Sequence, residues 1–75
     1  MEIKKVKDMG QASFLKVNNL KLQREVDWEG KSAYWIFEDD GRADELIEAY
    51  INGEAIGNLK DFSEAQRTLK QMLYN

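Results

Sequence analysis

Five carboxylates lie close together near the middle of the chain, and they are the first candidates for chemistry. They are Glu38, Asp39, Asp40, Asp44 and Glu45. Oxygen ligands of this kind suit Mg²⁺ and Ca²⁺. Their spacing does not match an EF-hand calcium loop, which needs acids at alternate positions and a closing Glu. We interpret them instead as groups that cap a following helix and complement its dipole. We expect no metal and no other cofactor.

The chain lacks the residue types on which most catalytic sites depend. It contains no His and no Cys, so Ser13, Ser32, Ser63 and Thr68 have no imidazole to act as a base. A chain of 75 residues also has few residues with which to enclose a substrate in a cleft. We therefore expect that the protein is not an enzyme.

Basic residues in the first third of the chain could contact phosphates, while Trp28, Tyr34 or Trp35 could stack on bases. The basic candidates are Lys4, Lys5, Lys7, Lys16 and Lys21. Against this hypothesis, the chain has a net charge of −3 and no recognised nucleic-acid-binding motif. Weak nucleic-acid binding through these lysines is therefore the alternative function rather than the first.

Charge is distributed unevenly along the chain. Residues 1–24 carry six bases and two acids, whereas residues 25–54 carry two bases and ten acids. Such asymmetry marks either an interaction surface or two halves of one fold that attract each other. The sequence leaves both interpretations open.

Two features are candidates for a partner interface. Asp44, Glu45 and Glu48 form an acidic ridge on a predicted helix, and Trp28 lies beside a predicted turn. The ridge is either a solvated face or a docking surface for a basic partner, such as the N-terminal segment of a second copy. Trp28 either packs locally or lies in an interface.

Self-association is the remaining way in which a domain this small can gain stability. Small domains gain stability from disulfides, metals or oligomerisation, and this chain has neither Cys nor His. The sequence thus favours a protein-interaction module that binds itself, as a homo-oligomer, or another protein.

The stretch from residue 20 to residue 40 predicts a β-hairpin. Leu20, Leu22, Val26 and Trp28 alternate with polar residues, and a second strand follows over residues 33–37. A two-residue turn at 29–30 would place Leu22 opposite Phe37, whereas a bulged turn from Asp27 would shift the register by one residue. We favour the first register because it places the apolar side chains of both strands on one face.

Three helices are predicted around this hairpin. Asp8 caps the first, which ends at 18–19. The second carries one apolar stripe, Ala43, Leu46, Ile47, Tyr50 and Ile51. A capping pattern over 61–64 begins the third, and the connector before it supplies Ile56 and Leu59 to the core.

The predicted fold is a single α+β domain over residues 1–75. An antiparallel hairpin, extended to as many as four strands, packs one face against about three helices in the order (β)αββαα. Residues 3–6 are a candidate edge strand. If residues 54–56 also form a strand, the order becomes βαββαβα, which is close to a ferredoxin-like arrangement.

Three segments carry a family resemblance. Residues 35–39 (WIFED), 46–53 (LIEAYING) and 69–74 (LKQMLY), with Asp8 ahead of Phe14 and Leu15, resemble a small prokaryotic and viral family classed as a domain of unknown function. The resemblance implies a compact stand-alone domain from a phage or mobile-element context. It implies no catalytic residue.

No apolar run approaches the length of a membrane span, and residues 1–5 lead into no signal-peptide core. We expect a soluble, cytoplasmic protein without a membrane partner.

Overall fold

The computed structural model describes residues 2–74, so positions 1 and 75 of the predicted domain lie outside the described residues. Its elements are β1 (Glu2–Val6), α1 (Met9–Val17), β2 (Lys21–Leu22), β3 (Asp27–Glu29), β4 (Ser32–Asp39), α2 (Ala43–Ile51) and α3 (Leu59–Met72). The four strands form one antiparallel sheet. The α+β class and the helices predicted from the sequence are confirmed.

Strand β4 is the centre of the sheet. It pairs antiparallel with β1 along one edge, with β2 opposite its C-terminal half, and with β3 opposite its N-terminal half. Strands β1 and β2 therefore run parallel to each other with β4 between them, joined by α1 in a split βαβ arrangement. The candidate strand at residues 3–6 is confirmed as part of β1, and it forms an edge of the sheet.

The first strand of the predicted hairpin is broken in two. Leu22 lies opposite Phe37, as the favoured register predicted, but Asp27 lies opposite Tyr34. Four residues, 23–26, therefore face two residues of β4, and the two extra residues leave the ladder as a bulge. The turn falls at Gly30 and residue 31 rather than at 29–30, with Gly30 at φ +63°, which suits a Gly in the first central position of a tight hairpin turn.

Local capping explains how α1 and α2 begin. The Asp8 carboxylate accepts a hydrogen bond from the Gln11 amide at 2.9 Å, and the Asp39 carboxylate accepts one from the Ala43 amide at 3.2 Å. These contacts satisfy amides that have no partner within the helix. Helix α1 ends at Asn18 and Asn19, the latter at φ +69°, as predicted.

Helix α3 begins earlier than predicted. Asn58 is its N-cap and accepts from the Lys60 amide at 2.8 Å and the Asp61 amide at 3.4 Å. The prediction of a start at 61–64 was therefore wrong, because an Asn cap three residues upstream already satisfies the first-turn amides. Residues 54–58 form no strand, so the ferredoxin-like alternative is also wrong.

The core lies between the sheet and the helices, with α1 packed against both α2 and α3. Its buried members are Val6, Ala12, Leu15, Leu20, Trp35, Phe37, Ala43 and Leu69, with Leu22, Val26, Leu46 and Ile47 packed against them. This arrangement buries the apolar face that an isolated hairpin would expose to water. It also leaves α2 and the α2–α3 connector at the periphery.

Candidate protein-interaction surface

The α2–α3 connector and the first residue of α3 carry the most exposed large aliphatic side chains of the described residues. Ile56 is 90% exposed and Leu59 is 85% exposed. The prediction that they are core residues was wrong. Segment 53–58 contains two Gly and an Asn, and connectors of this composition usually run over the surface. That composition is the sequence signal that could have identified Ile56 as exposed.

An apolar cleft of about 220 Å³ opens beside these two side chains. We define the connector surface as the cleft wall and the two projecting side chains together: Phe14, Val17, Tyr50, Ile56, Leu59 and Phe62. The cleft has several times the roughly 30 Å³ that one water occupies in the liquid. It therefore has room for an apolar side chain.

A row of aromatic rings forms the wall of the cleft. The ring centroids of Phe14 and Tyr50 are 6.1 Å apart, and those of Tyr50 and Phe62 are 6.5 Å apart. One ring comes from each of the three helices, so the cleft depends on all three packing together. Aromatic pairs at these distances contribute beyond their buried area and give the cleft a defined shape.

Gly10 allows Tyr50 to take its place in this row. A Cβ at position 10 would lie 2.0 Å from the Tyr50 hydroxyl oxygen and 2.6 Å from the Cζ atom of its ring. Real Cβ contacts are essentially never this short, so a larger residue would displace the ring. The glycine that the sequence presents as a weak point of α1 therefore leaves room for the tip of the Tyr50 side chain against α1.

Trp28 lies away from the connector surface. It is 53% exposed and lines a separate depression of about 350 Å³ with Arg24, Glu25, Val26 and Met72. Met72 ends α3 and Leu59 begins it, a separation of about 20 Å along the helix axis. The structure therefore does not bring Trp28 together with the cleft.

The acidic ridge is exposed along α2, and one member of it has an intramolecular partner. Asp44, Glu45 and Glu48 are all exposed, and the Lys4 ammonium donates to the Asp44 carboxylate at 2.6 Å. The ridge begins at the N-terminal end of α2, whereas the connector leaves its C-terminal end.

Ion pairs join the basic N-terminal part of the chain to the acidic part that follows. Lys5 lies across β4, 2.5 Å from Asp27 and 2.8 Å from Glu29, and its ammonium is 5.8 Å from the centroid of the Tyr34 ring. The hydrogen bonds to Asp27 and Glu29 raise the pKa of Lys5 well above its ordinary value. The basic N-terminal part and the acidic part that follows it therefore attract each other within the same fold.

The candidate phosphate-binding lysines are dispersed. Lys4 pairs with Asp44 and Lys5 with acids of β3, while Lys21 lies 3.6 Å from Glu38. Lys16 lines a separate polar depression between α1 and α3. Within residues 2–74, Lys7 and Lys16 form no ion pair. The structure therefore does not gather the five lysines into one patch.

Two of the central carboxylates form hydrogen bonds and an ion pair at the start of helix α2. Asp39 also accepts from the Gly41 amide at 2.8 Å, and Asp40 pairs with Arg42 at 2.9 Å. Arg42 in turn donates to the Asn18 carbonyl at 3.0 Å, which ties the start of α2 to the end of α1. Among the described residues, no three acidic side chains converge to hold a metal ion.

None of the helices within residues 2–74 has both the length and the apolar character needed to cross a membrane.

The fold, the exposed connector and the dispersed charges together define a small two-layer α+β domain whose most distinctive surface is apolar. The model of a domain of unknown function, DUF5659, matches residues 1–75, and the chain belongs to that family. Comparison with curated proteins and with solved structures gives no match.

Proposed function

We propose that the chain is a non-enzymatic protein-interaction module and that the connector surface binds its partner. The observation that carries this proposal is the exposure of Ile56 and Leu59, 90% and 85%, directly beside an aromatic-walled cleft. Single exposed apolar residues are ordinary. Two projecting aliphatic side chains next to an apolar cleft form a contiguous surface of the kind that protein partners cover.

The energetics suit an interaction of modest strength. Burying one Ile or Leu side chain contributes about 1.5–3 kcal/mol, and association costs roughly 4–15 kcal/mol in lost translational and rotational freedom. Ile56 and Leu59 alone therefore do not give tight binding. Contacts within the aromatic cleft must supply the remainder.

Affinity capture from the native cells tests this function. Tagged wild-type chain, Ile56→Asp and the control Trp28→Ser would be compared for the proteins they retain, a second copy of the chain included. We expect Ile56→Asp to lose at least 80% of the retained partner while Trp28→Ser keeps it. Equal retention by all three forms would contradict the proposal.

Nucleic acid is the competing class of partner. Three of the five candidate lysines pair with acids of the same chain, which reduces the positive charge available to phosphates. A gel shift with single- and double-stranded probes at low salt gives electrostatic binding its best chance. A shift that disappears as salt is raised, and that does not respond to Ile56→Asp, would contradict the protein-interaction proposal.

The setting we propose is the cytoplasm of a prokaryote that carries phage or mobile-element genes. Support for the compartment is the lack of Cys in the chain, which suits a reducing environment. Support for the phage or mobile-element context is the resemblance described above.

A further inference from the structure

We infer that the connector surface recognises a basic segment of another protein, in which an apolar anchor side chain lies beside Lys or Arg residues. This inference rests on the proposed function, because it names the chemistry of the partner for the same surface. The cleft accounts for the anchor, since it is apolar and has room for a side chain. The charge on the α2 side of the cleft accounts for the basic residues.

The α2 side of the connector surface carries charge of one sign. Residues 43–57 contain four acids and no Lys or Arg; the acids are Asp44, Glu45, Glu48 and Glu54. All four are exposed. Among the ion pairs formed within residues 2–74, Asp44 is the only one of the four to take part, with Lys4. Three carboxylates on this side therefore remain available to a partner.

Two of these carboxylates belong to the part of the chain that builds the cleft. Glu48 is two residues before Tyr50, which walls the cleft, and Glu54 directly precedes Ala55, which also lines it. The Glu54 amide donates to the Ala49 carbonyl at 2.8 Å, so the backbone at Glu54 folds back against the end of α2. The acids therefore flank the cleft on the α2 side.

The C-terminal end of α2 adds to this negative charge. Aligned peptide dipoles place about half an elementary negative charge at the C-terminus of a helix, and α2 has no basic residue in its last turn to offset it. Its last residue, Ile51, is 65% exposed and lies one turn from Glu48 on the same face. Acidic and apolar surface therefore meet here, which suits a segment that combines an apolar anchor with bases.

The α1 and α3 sides carry charges of both signs. Lys16 of α1 lines a depression with Asp61 and Glu64 of α3, and Lys60 follows Leu59. We therefore expect the basic residues of the partner to lie against α2. Two copies of this chain in contact at their connectors would bring two acidic α2 ends together, and like charges weaken an interface. A contact between copies is therefore weaker here than one with a basic segment.

Selection from a random peptide library displayed on phage, with the full chain as bait, tests the inference. We expect the retained peptides to carry a large apolar residue with Lys or Arg next to it. The strongest binder, made as a synthetic peptide, would be titrated by fluorescence anisotropy in about 0.15 M salt, which screens charges beyond roughly 8 Å.

Charge-reversal variants locate the basic residues of that peptide. Glu48→Lys and Glu54→Lys should each raise the Kd about three- to tenfold, because each reversal removes an attraction and adds a repulsion. The matched control Glu25→Lys makes the same change of charge beside Trp28 and should change the Kd less than about twofold. Binding should weaken as salt rises from about 0.05 M to about 0.5 M, whereas a contact between copies should strengthen.

Retained peptides without basic residues, or a Kd that Glu48→Lys and Glu25→Lys change equally, would overturn the inference. If Ile56→Asp abolishes the binding of such peptides, the proposed function stands without it. If Ile56→Asp has no effect, the proposed function is rejected as well. A library that yields no peptide would also overturn the inference, and dimerisation lost in Ile56→Asp would then assign the surface to a second copy.

Discussion

The hydroxyl group of Ser13 is buried in α1 and has no hydrogen-bond partner among the described residues. A buried donor without a partner loses its bonds to water and gains none in return. Its neighbours Ala12, Phe14 and Leu15 are buried as well, so α1 is enclosed on nearly all sides. The hydroxyl therefore destabilises the folded state relative to an apolar group of similar size.

We predict that Ser13→Ala stabilises the protein by about 1–2 kcal/mol, because it removes the unpaired hydroxyl and improves helix propensity. Urea unfolding followed by circular dichroism measures the change. The matched control is Ser63→Ala, which lies in α3 and is exposed, so it should gain only about 0.5 kcal/mol from propensity. A loss of stability in Ser13→Ala would show that the hydroxyl has a partner.

Trp35 connects the sheet to the last turn of α3. Its indole Nε1 donates to the Leu69 carbonyl at 3.2 Å in a buried position, where helix carbonyls run short of intrahelical donors. We predict that Trp35→Phe costs about 2–3 kcal/mol from the orphaned carbonyl and the lost volume. The control Trp28→Phe at the exposed site should change the free energy of unfolding by less than about 0.5 kcal/mol. Equal costs in urea unfolding would contradict this role.

At the scale of the elements, the Tyr50 side chain of α2 packs against α1 in the space left by Gly10. We predict that Gly10→Ala destabilises the protein by about 1–3 kcal/mol, because displacement of the Tyr50 ring outweighs the gain of about 1 kcal/mol in helix propensity. In a Tyr50→Leu background, where no ring reaches position 10, the same change should stabilise. Thermal unfolding of the four forms in a double-mutant cycle measures this reversal. Strictly additive effects would rule out the contact as the cause.

The junction between α1 and α2 predicts a pH dependence. The Arg42 guanidinium holds the pKa of Asp40 below its ordinary value of 3.8, so the pair contributes stability above the unfolded pKa and loses it as pH falls through the folded one. We predict that Arg42→Lys raises the Asp40 pKa towards its ordinary value, since Lys lacks the planar fork. Carbon-detected NMR titration of the wild type and of Arg42→Lys from pH 2 to 6 measures the change. An unchanged Asp40 titration would contradict the pairing.

Elements that depend on nearby residues could be predicted from the sequence, and those that depend on distant ones could not. Helices α1 and α2 follow from Asp8, Asp39 and apolar spacing, which act within a few residues. The break between β2 and β3 depends on how residues 23–26 pass two residues of β4, and no local signal specifies those two extra residues. The start of α3 was misplaced because two capping patterns overlap and only the earlier one is used.

At the scale of the whole molecule, the candidate site also depends on residues that are far apart in the sequence, so local patterns could not predict it. The sequence indicated Trp28 and the acidic ridge because aromatic and charged residues are recognisable in isolation. It assigned Ile56 and Leu59 to the core because apolar residues usually lie there. Their exposure follows from the position of the connector and the first turn of α3 at the edge of the helical layer, which only the packed fold reveals.

Charge complementarity is the second property of the whole molecule. Of the ion pairs formed among residues 2–74, all but the pair between Asp40 and Arg42 join the basic segment 1–24 to the acidic segment 25–54. These pairs are exposed, and exposed pairs contribute little stability individually. These pairs partly neutralise the positive charge of segment 1–24 and the negative charge of segment 25–54. We therefore propose the apolar connector surface, rather than a charged surface, as the binding site for a partner.

The most direct measurement of where this surface acts is a dilution series of ¹H–¹⁵N NMR spectra of the wild-type chain, from 1 mM to 20 µM. We predict concentration-dependent shifts that concentrate at the end of α2, the connector and the first turn of α3, residues 50–62. The same spectra of Leu59→Asp should not change with dilution. Wild-type spectra that do not change would contradict self-association, and shifts that centre on Trp28 and β1 would contradict binding at the connector surface.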